Sequence, residues 1–365
     1  MPISRKVTLS DVAARAGVST TTASYIVNGR SAQMRIAADT EQRVRAAVVE
    51  LGYRPNRNAR SLRTSTTSTI GVITDFVASG MFASRMLGGA NAAARAHDHL
   101  LVIGETEGDP AVRELLVDEM LERQVDGIIY ITRTTLTTPL PDRLMAGRTV
   151  MLNCVDPEGR APAVLPDEHS GGRVAADALL AAGVREGVYV VGEDPTPHAL
   201  AGPLRLAGIT ERFAEEGVEL SGVLPCEWSV DAAYGALRPW LEAGHRAHGL
   251  ICLNDRVAMG TYQALAEHGL HVPGDVSIVS FDGSELAGWL RPRVASVELP
   301  FVAMGARAVE LLLADETAPG APVLVPMPLI PGESVRTAPR PARASSAAST
   351  GERAVRGRRR ESGRV

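Results

Sequence analysis

The chain has 365 residues, enough for two or three domains, and 45% of them are hydrophobic, enough for buried cores. Its three cysteines, Cys154, Cys226 and Cys252, lie far apart with no CxxC pair, which argues against a disulfide framework or a cysteine zinc site and fits a reducing cytoplasm. The net charge of −4 is unevenly spread: residues 1–63 sum to +7, residues 338–365 to +6 and the 64–337 body to −17, so phosphate is attracted at the ends and repelled in the middle.

The first segment, TLSDVAARAGVSTTTASYIVNG from Thr8, reads as two short helices around a tight turn. The first covers Leu9 to about Arg15 with Val12, Ala13 and Ala16 inside, and Gly17 suits a left-handed turn position. Ser19 is a ready N-cap for the second helix. Such a pair is a helix-turn-helix, whose second helix enters the DNA major groove. A third helix carries Val44, Ala47, Val48 and Leu51 at helical spacing; Asp39 or Thr40 would cap it and Gly52 would end it. Tyr53-Arg54-Pro55-Asn56 is an extended connection. Asn58–Arg63 could form one short helix, too short to stand alone in water and a candidate for folding on DNA. Residues 64–69, TSTTST, read as a polar linker.

From Ile70 the pattern alternates. Apolar strand-like runs occupy 70–74, 100–103, 127–131, 149–153, 187–191, 249–253 and 276–280. Alanine-rich helical segments occupy 84–97, 110–123, 171–182, 204–216, 232–243, 255–268 and 302–313. Apolar strands alternating with helices mean parallel sheets covered on both faces, enough here for two α/β lobes. Ligands of such folds sit at the carboxyl ends of the strands, and with two lobes in the cleft between them. The tail, 338–365, has almost no large apolar residues and is disordered by composition; its arginines solubilise it or add non-specific DNA affinity.

Together VTLSDVAARAGVSTTTASYIVNG, ADTEQRVRAAVVELGYRPNRNARSLRT and STIGVI resemble the N-terminal part of the LacI/GalR transcriptional regulators. QVDGIIY, PDEHSGGRVAADALLAAG, RLAGI, ICLNDRVAMGTYQALAEHGLHVPGDVSIVSFDGSE and MGARAVELLL continue the resemblance in order, over about residues 6–336. It implies an N-terminal all-α helix-turn-helix domain (1–63, hinge helix about 57–63), the linker 64–69 and a two-lobed, periplasmic-binding-protein-like α/β core with parallel sheets (70–337). It also implies a cytoplasmic homodimer, a pseudo-palindromic double-stranded DNA operator, a repressor's role, and a small effector, a sugar with a purine or nucleoside as the alternative. A solute-binding transport protein shares the two-lobed core but leaves residues 1–63 without a role and needs an export signal, which the opening MPISRKVTLSDVAARAG lacks.

Residue by residue, the resemblance puts the recognition helix at Ser19–Asn28, with Thr20, Thr21 and Tyr25 at base-reading positions and Thr22 and Ser24 better placed for phosphates. Thr8, Ser19 and Asn28 join the expected DNA contacts. Where many members have arginine this chain has Tyr25, which cannot read guanine bidentately. In the hinge, Leu62 takes the place of a leucine that wedges between base steps, with Arg57, Ala59, Arg60 and Arg63 beside it. Effector contacts fall on Phe82, Asn153, Arg205, Trp228, Asn254 and Asp282. Asp255 and Asp167 equally suit helix N-caps, and Arg205 a surface ion pair.

Catalysis finds little support. There is no GxGxxG, P-loop, HExxH or GxSxG, the histidines lack metal-ligand spacing, and Asp167-Glu168-His169-Ser170 is triad-like only on paper. No enzyme activity, cofactor, metal or membrane association is expected, and no apolar run is long enough to span a bilayer.

Overall fold

The computed structural model describes residues 7–54, 66–75, 84–193, 196–314 and 320–336. Three helices come first: α1 (Leu9–Ala16), α2 (Thr20–Val27) and α3 (Ala38–Glu50). Thr8 opens α1 through a capping box with Asp11, and Gly17 closes it in the left-handed region at φ +65°. Ser19 caps α2 by accepting from Thr22 N. The start of α3 corrects the expected cap: Ala37 holds the N-cap position with no side-chain bond, and Asp39 pairs with Arg43 at 3.3 Å instead. The carboxylates Asp39 and Glu41 still face the positive end of the helix, which offsets the missing cap. Val12, Ala13, Ala16, Ala23, Ile26, Val44 and Ala47 close a small core among the three helices.

Two six-stranded sheets follow. The first contains β1 (Thr69–Thr74), β2 (Leu100–Glu105), β3 (Gly127–Thr137), β4 (Thr149–Val155) and β5 (Ala163–Pro166) in the order 2-1-3-4-5, with β11 (Val323–Val325) beyond β5. The second contains β6 (Val188–Val191), β7 (Gly222–Leu224), β8 (Gly249–Cys252), β9 (Ser277–Asp282) and β10 (Ala295–Glu298) in the equivalent order, with β12 (Leu329–Ile330) beyond β10. All pairings are parallel except that of β10 with β12. In each sheet the strand order reverses between the first and third strands, the place where such sheets open a crevice.

Helices α4 (Ser84–Ala96), α5 (Pro110–Glu122) and α11 (Phe301–Leu313) cover the first sheet; α6 (Glu168–Ala181), α7 (Ala201–Glu215), α8 (Val230–Glu242), α9 (Asp255–Glu267) and α10 (Glu285–Trp289) go with the second. The chain therefore passes between lobes three times, after β5, after β10 and between β11 and β12. The largest buried cluster draws residues from both lobes, from Ile70 and Ile129 to Ile251 and Phe281. Glycines allow the closest helix crossings. A Cβ at Gly89 would lie 2.1 Å from Val302 O, and one at Gly172 would lie 2.2 Å from Arg205 O.

Several expected boundaries move. Thr69 belongs to β1, and Thr67 is docked on the core by its N–H bond to Asp126 at 2.7 Å, so this end of the linker is held. Strand β3 runs on to Thr137, past the expected end at 131, and β9 to Asp282. Helices α6 and α7 begin three residues before the expected starts at 171 and 204. The short strands β5, β7, β10, β11 and β12 were not expected.

Candidate functional site

The head presents α2. Its caps consume some of the expected DNA contacts. Thr8 Oγ1 lies 2.7 Å from Asp11 Oδ2, Ser19 Oγ lies 2.9 Å from Thr22 Oγ1, and Asn28 Nδ2 donates to Ser24 O at 2.7 Å. Among the described residues, Thr20, Thr21 and Tyr25 have no side-chain hydrogen bond; the two threonines are exposed and Tyr25 is half-buried. The three polar side chains of α2 left uncommitted are therefore those that the resemblance assigns to base reading. Arg57, Ala59, Arg60, Leu62 and Arg63, with the hinge helix, and also Phe82 and the 338–365 tail, lie outside the described residues.

The second constellation lies where the strand ends of the two lobes meet. Arg205, on α7, is only 1% exposed. Its Nε and Nη2 fork onto Glu168 at 2.6 and 3.2 Å, and Nη1 donates to Leu253 O at 2.5 Å. The rings of Trp228 and Phe281 lie 5.1 and 4.6 Å from its guanidinium carbon. The surface ion pair considered for Arg205 is thus a buried one, and Glu168 is a central member that sequence reading missed. The available signal was a carboxylate on the first turn of a helix whose other inward residues are glycine, alanine and leucine.

Glu168 also ties the lobes together. The Thr135 hydroxyl, on the extension of β3, lies 3.1 Å from Glu168 Oε1 and 2.8 Å from Asn153 Oδ1. Asn153 Nδ2 donates to Thr132 O and Arg133 O, so its amide is committed at both ends to the strand tips, and its backbone sits at φ +63°. Further links between lobes are Leu200 N to Thr135 O at 2.8 Å and Arg85 to Glu298 at 2.6 Å.

Asn254 Oδ1 accepts from Val257 N at 2.8 Å and is the cap of α9. This corrects the reading of Asp255 as the cap. Asp255 is fully buried and accepts from Ser280, Ser284 and Ser296, because a carboxylate buried there needs several donors. Asp167 does cap its helix, accepting from Ser170 N at 3.0 Å. Asp282 ends β9 at φ +104°. Burial, reinforced by the neighbouring Asp255 carboxylate, pushes its carboxyl up to about 8. Trp228 is partly buried against two hydrophobic clusters, the one shared between the lobes and the one within the second lobe, and its Nε1–H is buried without a hydrogen-bond acceptor among the described residues. The rim therefore offers a free indole donor, a largely buried carboxyl and apolar ring faces. Its one buried cation is already neutralised, which suits an uncharged hydroxylated or heterocyclic molecule better than an anion.

The triad-like run is pulled apart: Asp167 caps, Glu168 holds Arg205, and His169 Nε2 faces Glu211 at 2.9 Å. Among the described residues no cluster of three metal-ligating side chains occurs, and no helix is long and apolar enough to cross a membrane.

Comparison with known proteins agrees with this two-part architecture. Residues 8–56 match the family model "Bacterial regulatory proteins, lacI family", and residues 176–335 match "Periplasmic binding protein-like domain". The chain is 28% identical to the HTH-type transcriptional regulator RegA of Clostridium saccharobutylicum, over 84% of this chain and 91% of that protein. It is 29% identical to the ribose operon repressor of Haemophilus influenzae and to the HTH-type transcriptional repressor PurR of Vibrio atlanticus, each over 84% of this chain and 91% of the relative. The crystal structure of the Lac repressor dimer bound to operator and the anti-inducer ONPF shares its fold, with a TM-score of 0.74 at 24% identity, over 91% of this chain and 100% of that one. With a helix-turn-helix head that matches the lacI family, a periplasmic-binding-protein-like core of two parallel α/β lobes and relatives that are transcriptional regulators, the chain is a DNA-binding transcriptional regulator similar to the lacI family of bacterial regulatory proteins.

Proposed function

We propose that this regulator is a homodimeric repressor that binds a pseudo-palindromic operator and is controlled by a small uncharged effector, a sugar, held between the lobes. Residues 1–63 would form the DNA-binding unit, 64–69 the linker and 70–337 the effector-binding and dimerisation core. Thr20, Thr21 and Tyr25 would read bases and Leu62 would wedge the minor groove. Trp228, Asp282 and Asn254 would contact the effector, with Arg205 holding the stacked rings in place. Asn153, whose amide is fully engaged, would order the strand tips rather than touch the ligand.

The observation that carries the effector reading is the unpartnered Trp228 Nε1–H beside a buried, already neutralised arginine. A sugar hydroxyl can accept from the indole and donate to Asp282, while its ring face packs on aromatic surface. A purine is the second reading. The Trp228 and Phe281 rings favour it, and one relative is named PurR. Footprinting on fragments selected from a random pool should show a protected, two-fold related site about one helical turn between half-site centres. Thermal-shift titration should then raise the melting temperature with a sugar and not with nucleosides, and the same sugar should change the footprint. A shift with nucleosides alone would select the purine reading, and no footprint on any selected fragment would remove the operator reading.

A further inference from the structure

The core end of the linker is clamped at one carboxylate. Asp126 Oδ1 accepts from Thr67 N at 2.7 Å, and Oδ2 accepts from Thr69 N at 3.2 Å. Thr67 Oγ1 lies 3.1 Å from both Asp126 Oδ1 and Gln124 O. Ser68, between the two threonines, sits at φ +53°, and its carbonyl accepts from Leu100 N at 2.9 Å. Asp126 N donates in return to Thr69 O at 2.8 Å. The chain that comes from the head therefore meets the body at a fixed point, between the starts of β2 and β3.

His99 closes this clamp. Its Nε2 lies 3.3 Å from Asp126 Oδ2, the oxygen that also receives Thr69 N, and its Nδ1 lies 2.6 Å from His97 O. The side chains of His99 and Asp126 are only 14% and 12% exposed. A backbone carbonyl and a carboxylate can only accept hydrogen bonds, and a neutral imidazole has a single N–H. The imidazolium, with two, is the form that satisfies both contacts together. Among the described residues Asp126 is the charged group within ion-pair reach of the ring. Arg95, His97 and Asp98 precede it at the end of α4 with exposed side chains, and Arg123, before Asp126, is paired with Glu119 at 2.7 Å. The linker residues facing the pair, Thr67, Ser68 and Thr69, carry no charge.

We infer that His99 is a positioning residue for the DNA-binding head: its proton completes the Asp126 clamp on Thr67 and Thr69, and losing that proton to solvent loosens the root of the linker. The inference rests on the DNA-binding reading of the head, where a fixed root has a consequence. Two heads must reach half-sites at a set spacing, and freedom in their tethers lowers the effective concentration of the second head once the first is bound. A histidine changes charge between about pH 5 and 8. At the low end of that range the clamp is complete; as pH rises it weakens, and operator affinity falls with it. An ion pair of this kind moves an equilibrium by about two- to fivefold.

Two measurements on the full chain test this. The first is hydrogen exchange without DNA, read by mass spectrometry over the peptide that carries Thr67 and Thr69 and corrected for the intrinsic rate. Protection should fall about two- to fivefold from about pH 5.5 to 8 in the wild type and stay level in His99→Gln. The second is fluorescence anisotropy on a duplex selected from a random pool by the wild type. Its affinity should fall over the same range by about two- to fivefold more for the wild type than for His99→Gln. Asp126→Asn keeps a carbonyl for Thr67 N without the charge, and should behave as His99→Gln does. His97→Gln, which leaves the His97 carbonyl in place, should keep the wild-type profile. Equal protection profiles for wild type and His99→Gln would overturn the inference. Protection that follows pH while the two affinities change alike would overturn the link to the head. If the wild type bound no selected duplex, the DNA reading would fall, and the exchange data would still decide whether the proton holds the clamp.

Discussion

At the scale of single residues, the cleft turns on where charge is buried and what answers it. Arg205 is the clearest case. The sequence placed it at a ligand position on resemblance, with a surface ion pair as the other reading, and the structure buries it against Glu168 and two rings. Arg205→Ala would leave Glu168 buried without a counter-charge, which costs about 3–5 kcal/mol. Loss of effector response in that variant would therefore be inseparable from loss of stability. Asp282→Asn is the sharper probe. With its carboxyl pushed up to about 8, Asp282 stays protonated in the folded chain at pH values where the unfolded chain, with an ordinary carboxyl, has released its proton. It therefore costs stability progressively as pH rises from about 4 to about 8. An asparagine carries no such cost, so the melting temperature of Asp282→Asn minus that of the wild type should climb across this window and level off above it. A difference that stays flat with pH would show that Asp282 is ionised in the folded protein. Residue chemistry of this kind was only partly legible. The caps Ser19 and Asp167 could be read from local spacing, because each bonds the backbone three residues away. Glu168, Thr135 and Phe281 meet Arg205 only through the fold, and no local pattern announces them.

At the scale of elements, legibility followed burial. The strands β1, β3, β4, β6, β8 and β9, four to eleven residues long, lie inside their sheets, are buried over most of their length and read as continuous hydrophobic runs. The strands β7, β11 and β12 are two or three residues long, partly exposed and at sheet edges, so pairing with a neighbour, not composition, makes them strands; β5 is fully buried but only four residues long and ends in proline. Read from sequence, α6 starts at Gly171, three residues late, although Asp167, the actual cap, is also named there as a cap candidate. Gly172, with Gly208 on α7, is the small residue that lets α6 cross α7, whereas a Cβ at Gly171 would meet the Met327 side chain. A Cβ at Gly172 would stand 2.2 Å from Arg205 O and 3.0 Å from Ile209 N, and the obstacles are backbone atoms that cannot turn aside. Gly172→Ala should destabilise the chain by about 1–3 kcal/mol or more through overpacking. It presses on the carbonyl of the residue that carries the guanidinium, so sugar-induced thermal shifts should shrink as well. The exposed Gly235, on α8 with nothing near its absent Cβ, is the control, and Gly235→Ala should leave stability unchanged or slightly raised. Equal behaviour of the two variants in thermal melts would mean that the α6–α7 crossing relaxes without cost.

At the scale of the whole molecule, the charge asymmetry read from the sequence and the links between lobes belong to one device. An acidic body disfavours wrong approaches to DNA while a basic head grips it. The body can influence that grip only if effector binding changes how the lobes sit, because a ligand shifts an equilibrium by no more than its difference in affinity between states. The contacts that differ between such states are those crossing from lobe to lobe. Thr135 to Glu168 is the one at the cleft centre, since it ties the tip of β3 to the carboxylate that orders Arg205. Coupling between two sites is typically about 1–3 kcal/mol, a factor of roughly 5 to 150, and it is reciprocal. If the sugar weakens operator binding by some factor in the wild type, operator must weaken sugar binding by the same factor, measured by titrating sugar into free and DNA-bound protein. Thr135→Val keeps the side-chain shape and removes the hydroxyl. It should leave operator affinity without sugar within a few-fold of wild type, because the head is untouched, and should reduce both coupling factors together. A variant with unchanged coupling would show that Thr135 is a passenger in the lobe interface. Factors of one in both directions for the wild type would mean that cleft and head are energetically separate, whatever binds in each.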